Sequence, residues 1–289
     1  MARDAQQADG LLYVILPVHD RREVTAKFIA CLQQQTDRNY HLLLVDDGSR
    51  DGTADMARAA GVPLTVMTGK GDWWWAGALQ QAFDWLQSRP RAGGEVVLIM
   101  NDDTQFEAGF LAAGRAALAA APRALLLARR HGSAGEFLDA GVKAVWSKLQ
   151  FLPTRDPAEV DCFSTRGLFL RLEDFLALGG FHPVLLPHYA SDYEFTMRAR
   201  RRGYRLVSDP AVRLQFDAST TGDLDPKAAS LRDYLRRCFS KRFALNPVYW
   251  TTFILLACPA RWILPNLFRV WTGFLGQMKD AARGGRTSA

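Results

Sequence analysis

Adjacent carboxylates follow two of the most apolar stretches of this 289-residue chain. Asp46 and Asp47 come directly after "HLLLV", and Asp102 and Asp103 come after "EVVLIMN". Buried strands seldom end in neighbouring negative charges, because an unpaired charge is costly to remove from water. Carboxylates in such a place can bind a hard cation or accept hydrogen bonds from hydroxyl and N–H groups. We therefore interpret both pairs as parts of a binding site.

The elements around these acids alternate between strand and helix over the first 130 residues. Continuous apolar runs predict buried strands, over 11–18, 40–49, 63–69, 95–103 and 124–129. Helical spacing predicts the helices between them, over 22–35, 51–61, 75–89 and 106–122. Strands that are apolar on both faces predict an α/β domain with a mostly parallel sheet covered by helices. Ligands bind beyond the carboxyl ends of such strands, where all four aspartates fall.

The pattern weakens between 131 and 165 and then resumes. A strand-like start followed by a helix is predicted over 167–181, where a Gly-Gly pair stops the helix. A second helix is predicted over 191–206, with Gly203 at its end, and one more strand over 211–216.

The polar, turn-rich segment 217–227 is the best candidate for a domain boundary. We therefore predict a catalytic domain over 1–225 and a C-terminal helical segment over 226–289. That second segment is basic: from position 231 onward, ten Lys/Arg and two Asp/Glu give a charge of +8, whereas the whole chain has a charge of +6. The rest of the chain then has a charge of −2, which argues against nucleic acid as a partner of the main domain.

Composition excludes several other classes. The four cysteines are scattered without a CxxC pair, so neither a zinc site nor a disulfide framework is expected, and a reducing cytoplasm fits. The polar N-terminus lacks the apolar core of a secretory signal. No GxxxxGK[ST] loop is present, and no GxGxxG follows the first strand. The stretch from Asp47 faintly resembles a calcium-binding loop, but this is excluded because Arg58 occupies the twelfth position, where a bidentate Glu is needed.

Five short motifs occur in a particular order: "PVHDR", "VDDGSRDGT", "NDDT", "GGF" and "SDYE". In this order they make the chain resemble glycosyltransferase family 2, whose members are nucleotide-sugar-dependent enzymes of the GT-A fold. The resemblance covers about residues 11 to 220. It implies a GT-A fold and a nucleoside-diphosphate sugar as donor.

The resemblance implies donor contacts from the first two motifs. Asp46 and Asp47 match the paired acids that meet the base and ribose of the nucleotide, and Pro17 and Val18 would form an apolar wall beside the base. The alternative is that the acids only build a tight turn ahead of the next helix.

The third motif is matched to the metal site. The resemblance makes Asp103 the ligand of a divalent metal, Mg²⁺ or Mn²⁺, and gives Asp102 the ribose or a supporting role at the metal. Such a cation would bridge carboxylate and diphosphate oxygens, which otherwise repel each other. A His often found late in such domains is missing here, and Gln215 and Asp217 stand in that region. Asp217 or water would complete the metal site; alternatively, the acids cap the following helix.

The last motif supplies the expected general base. The resemblance assigns this role to Asp192, which would deprotonate the acceptor hydroxyl in an in-line displacement with inversion. Ser191 takes the place of the usual first Glu, and Glu194 is the second candidate for the base. The alternative for Asp192 is a helix N-cap.

Three consecutive tryptophans lie in "GDWWWAGALQQA", over 71–82. They cannot all face one side of a helix, so at least one is expected at the rim of the cleft. Trp75 and Asp72 are the favoured donor contacts, although core packing of any one tryptophan is an equal alternative. His188 is a candidate acceptor contact, with a structural role as its alternative.

The tail combines basic residues with aromatic ones. Its apolar run from Pro247 to Ala260 is shorter than the roughly twenty residues that a spanning helix needs. We expect a segment that lies on an anionic membrane surface, with Trp250, Trp262 and Trp271 at the interface. The alternative is helices that pack on the catalytic domain or on a dimer partner.

These observations predict an inverting, metal-dependent hexosyl- or deoxyhexosyltransferase. Its donor would be a UDP-, dTDP- or GDP-linked sugar, and its acceptor a glycan or a lipid-linked glycan in polysaccharide biosynthesis. We expect a cytoplasmic protein, peripheral at the inner face of the cell membrane. A non-catalytic scaffold and a sugar nucleotidyltransferase are the alternatives, although "PVHDRRE" lacks the Gly-rich loop that the latter needs.

Overall fold

The computed structural model describes residues 10–216, 231–241 and 243–284. Strands and helices alternate in its N-terminal part, as the apolar runs predict. In chain order they are β1 (Leu12–Val18), α1 (Arg22–Gln33), β2 (Tyr40–Asp46), α2 (Thr53–Ala59), β3 (Leu64–Thr68), α3 (Trp74–Gln87), β4 (Val96–Ile99), β5 (Thr104–Gln105), α4 (Phe110–Ala119) and β6 (Ala124–His131). The first carboxylate pair thus begins on the last residue of β2, and the second follows β4 closely.

The later part of the chain adds short strands and the helices of the tail. In chain order they are β7 (Phe137–Asp139), β8 (Gly141–Val145), β9 (Gln150–Thr154), β10 (Leu168–Arg171), α5 (Leu172–Leu178), α6 (Ser191–Arg201), β11 (Arg205–Phe216), α7 (Leu231–Cys238), α8 (Pro247–Ala257) and α9 (Ala260–Gly284). The segment between 131 and 165, which has no clear sequence pattern, therefore contains strands. Their short length explains why periodicity does not reveal them.

The main sheet has the order β3-β2-β1-β4-β10-β6-β11-β5, with β7 paired to β6. Strand β1 runs parallel to both β2 and β4, so the ends that bear the aspartates meet at one edge. Strand β10 lies between β4 and β6 and is antiparallel to both, which makes the sheet mixed. The predicted α/β class with flanking helices and a helical C-terminal segment is confirmed.

Two apolar clusters cover the two faces of this sheet. Along β1, Val14 and Leu16 face the cluster that includes Phe28 of α1, whereas Ile15 faces the opposite cluster with Leu79 of α3. Alternate residues of a strand point to opposite faces, so a strand buried on both sides must be apolar throughout. The continuous run in the sequence follows from this arrangement.

The predicted helix 106–122 is wrong at its start. Residues 104–105 form β5, and α4 begins only at Phe110. The carbonyl oxygen of Ala108 accepts the backbone N–H of Thr36 at 2.8 Å, so this part of the loop is bonded to the end of α1. The loop between β5 and α4 is therefore fixed by a tertiary contact.

The predicted stop of the helix over 191–206 at Gly203 is confirmed, whereas the last residues of that range lie beyond the helix. Helix α6 ends at Arg201, and Gly203 has a φ of +85°, a conformation that favours glycine. Strand β11 then begins at Arg205, well before the predicted 211–216, because it pairs in parallel with β6 from that residue onward.

The tail packs on the α/β part of the chain through one side of α8. Phe253 and Ala257 belong to a cluster with Val142 of β8, Cys162 and Met197 of α6. The packing alternative for the tail is therefore correct for this side of the helix. None of the helices within the described residues combines the length and apolarity that a bilayer crossing requires.

The predicted boundary segment 217–227 lies outside the described residues. The division into two domains near position 225 therefore stays a prediction. The same applies to Asp217 as a metal ligand.

Candidate active site

A cleft of about 290 Å³ opens where β1, β2 and β4 end. Predicted site residues and unpredicted ones line it together. The lining residues are Pro17, Val18, His19, Arg21, Asp47, Gly71, Trp74, Trp75, Ala78, Asn101, Asp102, Asp103 and His188. Seven residues predicted from the sequence are thus brought together: Pro17, Val18, Asp47, Trp75, Asp102, Asp103 and His188.

Asp47 holds one wall of the cleft in place. Its Oδ1 accepts the backbone N–H of Gly71 at 2.9 Å, and its Oδ2 accepts those of Trp73 and Trp74 at 2.9 and 3.0 Å. Trp74 has a φ of +58°, which is rare for a bulky residue and is kept only where the surroundings fix it. Both carboxylate oxygens therefore accept hydrogen bonds from residues 71–74, which we call the tryptophan loop.

We expect Asp47→Asn to destabilise the protein by about 2–4 kcal/mol, because an amide cannot accept all three N–H bonds. Urea unfolding followed by tryptophan fluorescence measures this loss. Asp72→Asn is the matched control, since Asp72 is an exposed acid of the same loop. An unchanged unfolding midpoint for the Asp47 variant would show that the three bonds are dispensable.

Asp46 and Asp72 do not line the cleft. Asp46 is buried, and its Oδ1 accepts the N–H of Ser49 at 2.9 Å, as the turn alternative predicts. The backbone carbonyl of Asp72 accepts a hydrogen bond from Lys241 of the tail at 3.3 Å. Asp46 thus stabilises the turn after β2, and Asp72 is exposed beside the tail.

Asp102 is buried in an ion pair at the floor of the cleft. Arg21 Nε lies 2.9 Å from its Oδ2, and the hydroxyl of Thr25 donates to the same oxygen at 3.2 Å. Burial raises the pKa of Asp102, while Arg21 opposes this and the charge of Asp103 adds to it. The Asp102 carboxylate is thus tied to the loop after β1 and to α1.

Asp103 has one engaged oxygen and one unengaged oxygen. Arg166 Nη2 lies 3.3 Å from its Oδ2. Its Oδ1 is buried and has no hydrogen-bond partner among the described residues. An unsatisfied buried carboxylate oxygen is costly unless a ligand, water or cation completes it.

Two of the three tryptophans line the cleft, while Trp73 packs on the apolar cluster behind it. The ring of Trp74 meets the edge of His188, with 5.8 Å between the ring centroids. The indole N–H of Trp75 donates to the hydroxyl of Thr165 at 3.2 Å. Trp75 is therefore linked to the segment that carries Arg166, which we call the 165–166 segment.

Asp192 lies next to the 165–166 segment, close to the backbone N–H of Thr165 and to the charge of Arg166. Burial raises its pKa to about 6, and backbone N–H groups of Tyr193 and Thr165 and the charge of Arg166 oppose the rise. The predicted N-cap alternative is wrong, because the N-cap of α6 is Ala190. The side chain is half-buried and is not among the residues that line the cleft.

Glu194 has a different environment from Asp192. It is buried, and Arg198 binds its two oxygens from Nε and Nη2 at 2.9 and 3.1 Å. Arg198 also donates to the carbonyl of Gly180 at 2.7 Å, so this ion pair braces the Gly-Gly turn. Residues two apart on a helix face different directions, and Glu194 is accordingly directed away from Asp192.

Sequence reasoning missed several residues that line the cleft or, like Arg166, contact a residue that lines it. Arg21 could have been predicted from the sequence, because a basic residue right after the first apolar run would lie at the same sheet edge as the acids. Arg166 could not have been predicted, because its ion pair with Asp103 forms only when β10 lies beside β4. His19, whose Nδ1 lies 2.6 Å from the Asp47 carbonyl oxygen, and Asn101 complete this group.

The comparisons with known proteins agree with this geometry. The family model for Glycosyl transferase family 2 matches residues 13–175. No curated protein sequence gave a significant match.

Three solved structures illustrate the similarity of the fold. A mannosyltransferase from Pyrobaculum calidifontis, solved with GDP-Man and Mn²⁺, is 18% identical with a TM-score of 0.55, and the match covers 96% of this chain and 73% of that one. TarS 1-349 from S. aureus is 16% identical with a TM-score of 0.58, over 96% of this chain and 92% of that one. GalNAc-T7, solved with UDP, GalNAc and Mn²⁺, is 13% identical with a TM-score of 0.61, over 88% of this chain and 52% of that one.

At these identities the structural matches establish the fold alone. The family model, in contrast, covers more than half of the sequence and includes both aspartate pairs. This chain belongs to glycosyl transferase family 2.

Proposed function

We propose that the protein is an inverting, metal-dependent glycosyltransferase that moves a hexose or deoxyhexose from a nucleoside-diphosphate sugar to a hydroxyl group. The observation on which this rests is the arrangement of two carboxylates about the 165–166 segment. Asp103, with an unengaged buried oxygen, pairs with Arg166 through its other oxygen, and Asp192, with a raised pKa, lies near the same guanidinium. A metal ligand and a general base would then be neighbours at one arginine.

The donor nucleotide would occupy the cleft. Pro17, Val18 and Ala78 supply apolar contact, and the rings of Trp74 and Trp75 supply flat faces for base or sugar. A UDP-, dTDP- or GDP-linked sugar fits this proposal. The relatives solved with GDP-Man and with UDP give it support without fixing the nucleotide.

The residues at the cleft floor fit a divalent cation. Asp103 Oδ1 needs a partner, and Mg²⁺ is often held by one or two carboxylates together with substrate phosphates and water. Within the described residues there is no group of three or more His, Cys, Asp or Glu side chains that could hold a metal by itself. The donor diphosphate would therefore supply part of the coordination. When bound, Mg²⁺ or Mn²⁺ would neutralise charge on the leaving diphosphate.

Asp192 would act as the general base. A carboxylate with a pKa of about 6 is largely ionised at neutral pH and is more basic than an ordinary aspartate. The acceptor oxygen bonds to the anomeric carbon as the bond from that carbon to the diphosphate oxygen breaks. The hydroxyl proton passes to Asp192, and attack from the face opposite the leaving group inverts the anomeric centre.

We further propose that the acceptor is a glycan or a lipid-linked glycan, with His188 among its contacts. The product would belong to polysaccharide biosynthesis, carried out in the cytoplasm at the inner face of the cell membrane. The edge contact of His188 with Trp74, a residue that lines the cleft, supports this role.

A panel of UDP-, dTDP- and GDP-sugars, each with Mg²⁺, Mn²⁺ or a chelator, tests the proposal by product mass. We expect metal-dependent transfer or slow hydrolysis with one nucleotide class. Absence of both turnover and binding with every donor would favour the non-catalytic alternative. Formation of a sugar nucleotide from a nucleoside triphosphate and a sugar phosphate would favour the nucleotidyltransferase alternative.

A further inference from the structure

The two long helices of the tail present a continuous apolar surface to solvent. Leu264, Phe268, Trp271 and Leu275 of α9 are exposed, the first two at 77% and 72%. Their spacing of four, three and four residues places them on one side of the helix. The opposite side of α9 is anchored to the domain, since Asn266 donates to the carbonyl of Trp146 at 2.9 Å.

Helix α8 extends this surface. Val248 and Leu255 are exposed, whereas Phe253 on the same helix is fully buried against the domain. The indole N–H of Trp271 donates to the hydroxyl of Thr251 at 3.1 Å, which joins the exposed sides of the two helices. We call this surface the tail face; it consists of Val248, Leu255, Leu264, Phe268, Trp271 and Leu275.

The charges around the tail face are of one sign. Helices α8 and α9 include Arg261, Arg269 and Lys279, and their one acid, Asp280, lies on the side of α9 away from the apolar stripe. Arg261 and Lys279 are exposed, and helical spacing places both beside the apolar stripe. An anionic lipid surface complements this pattern, with basic groups at the headgroups and apolar side chains below them.

A second copy of the chain is a poorer partner for the same surface. It would bring the same positive charges against each other, because Asp280, the acid of α9, is directed away from the tail face. The position of Trp271 also suits a lipid interface, since its ring is partly exposed while its N–H is bonded.

We propose that the tail face is a docking surface for an anionic lipid bilayer, on which α8 and α9 lie without crossing it. The proposal rests on the membrane location proposed above and identifies the residues responsible for it. The surface holds the catalytic domain against the bilayer through the buried side of α8.

Co-sedimentation of the full-length protein with lipid vesicles tests this proposal. We expect binding to vesicles that contain phosphatidylglycerol, and binding weaker by about tenfold or more to pure phosphatidylcholine. The double variant Leu264→Ser/Phe268→Ser should lose about tenfold or more in affinity for the anionic vesicles. Leu152→Ser is the matched control, because Leu152 of β9 is 46% exposed, close to the 45% of Leu275, but lies off the tail face.

Thermal unfolding of each variant must match that of the wild type, as expected for substitutions of exposed residues. Failure of the wild type to bind anionic vesicles, or equal binding by the double variant, would overturn the proposal. Sedimentation velocity supplies a further outcome: a wild-type dimer that the double variant does not form would make the tail face a self-association surface. Vesicle binding needs no donor sugar, so the two proposals fail separately. Lost vesicle binding with intact transfer to a soluble acceptor contradicts only the docking surface, and vesicle binding without transfer contradicts only the enzymatic function.

Discussion

Replacing Asp192 with Asn is expected to lower kcat by roughly 10²- to 10⁴-fold while leaving donor binding intact, because the amide cannot take the acceptor proton. The donor cleft does not include this side chain, so its walls remain in place. Single-turnover transfer and equilibrium binding of the nucleoside diphosphate separate the two effects.

The pH dependence provides an independent check. Wild-type kcat/KM should rise with pH along a limb with an apparent pKa of about 6, and the variant should lack this limb. A raised carboxyl pKa stabilises the folded state below the ordinary value of 3.8, and that stabilisation is lost as pH rises through about 6. Because the neutral amide avoids the cost of a buried charge, the variant should be at least as stable as the wild type above pH 6.

Glu194→Gln is the matched control. It weakens the ion pair to Arg198, so it should lower the unfolding temperature while the remaining folded enzyme keeps the pH limb. If Asp192→Asn transfers at the wild-type rate and Glu194→Gln does not, the assignment of the base is wrong.

Replacing Asp103 with Asn is expected to reduce transfer by at least roughly 100-fold, because the cation and the leaving diphosphate lose their protein anchor. Titration of Mn²⁺ by calorimetry, in the presence and absence of UDP, measures the loss without relying on activity. We expect at least roughly tenfold weaker Mn²⁺ binding in the presence of UDP.

Asp72→Asn again serves as the control, since this exposed acid lies outside the lining of the cleft. Wild-type affinity for Mn²⁺ in the Asp103 variant would show that the cation binds elsewhere. The Asp103 substitution also leaves Arg166 without its carboxylate, so unfolding measurements must accompany the titration.

Much of the fold was predictable from local patterns. The apolar runs give β1, β2 and β4, since strands buried on both faces require such runs, and the acids mark the edge where these strands end. The direction of β10 was not predictable, because a short apolar segment does not reveal which neighbour it pairs with. The start of α4 was missed for a similar reason, since a contact with Thr36 fixes the preceding loop.

The candidate site was predictable in its residue types more than in their roles. Asp47 was predicted to contact the nucleotide, whereas in the structure its oxygens accept backbone N–H groups of residues that are distant in sequence. Asp103 and Asp192 were found through motifs, whereas their common neighbour Arg166 depends on tertiary packing. Local spacing indicates which acids reach the sheet edge, and only the fold determines which of their oxygens are already engaged.

The pairing of Arg21 with Asp102 and of Arg166 with Asp103 balances two positive against two negative charges at the cleft floor. A diphosphate accompanied by a divalent cation is itself close to neutral. The floor therefore neither attracts nor repels such a complex from beyond a Debye length, which is about 8 Å in physiological salt. Under the proposed function, capture of the donor would then be decided at contact distance, by shape and by hydrogen bonds, after diffusion has brought it to the cleft.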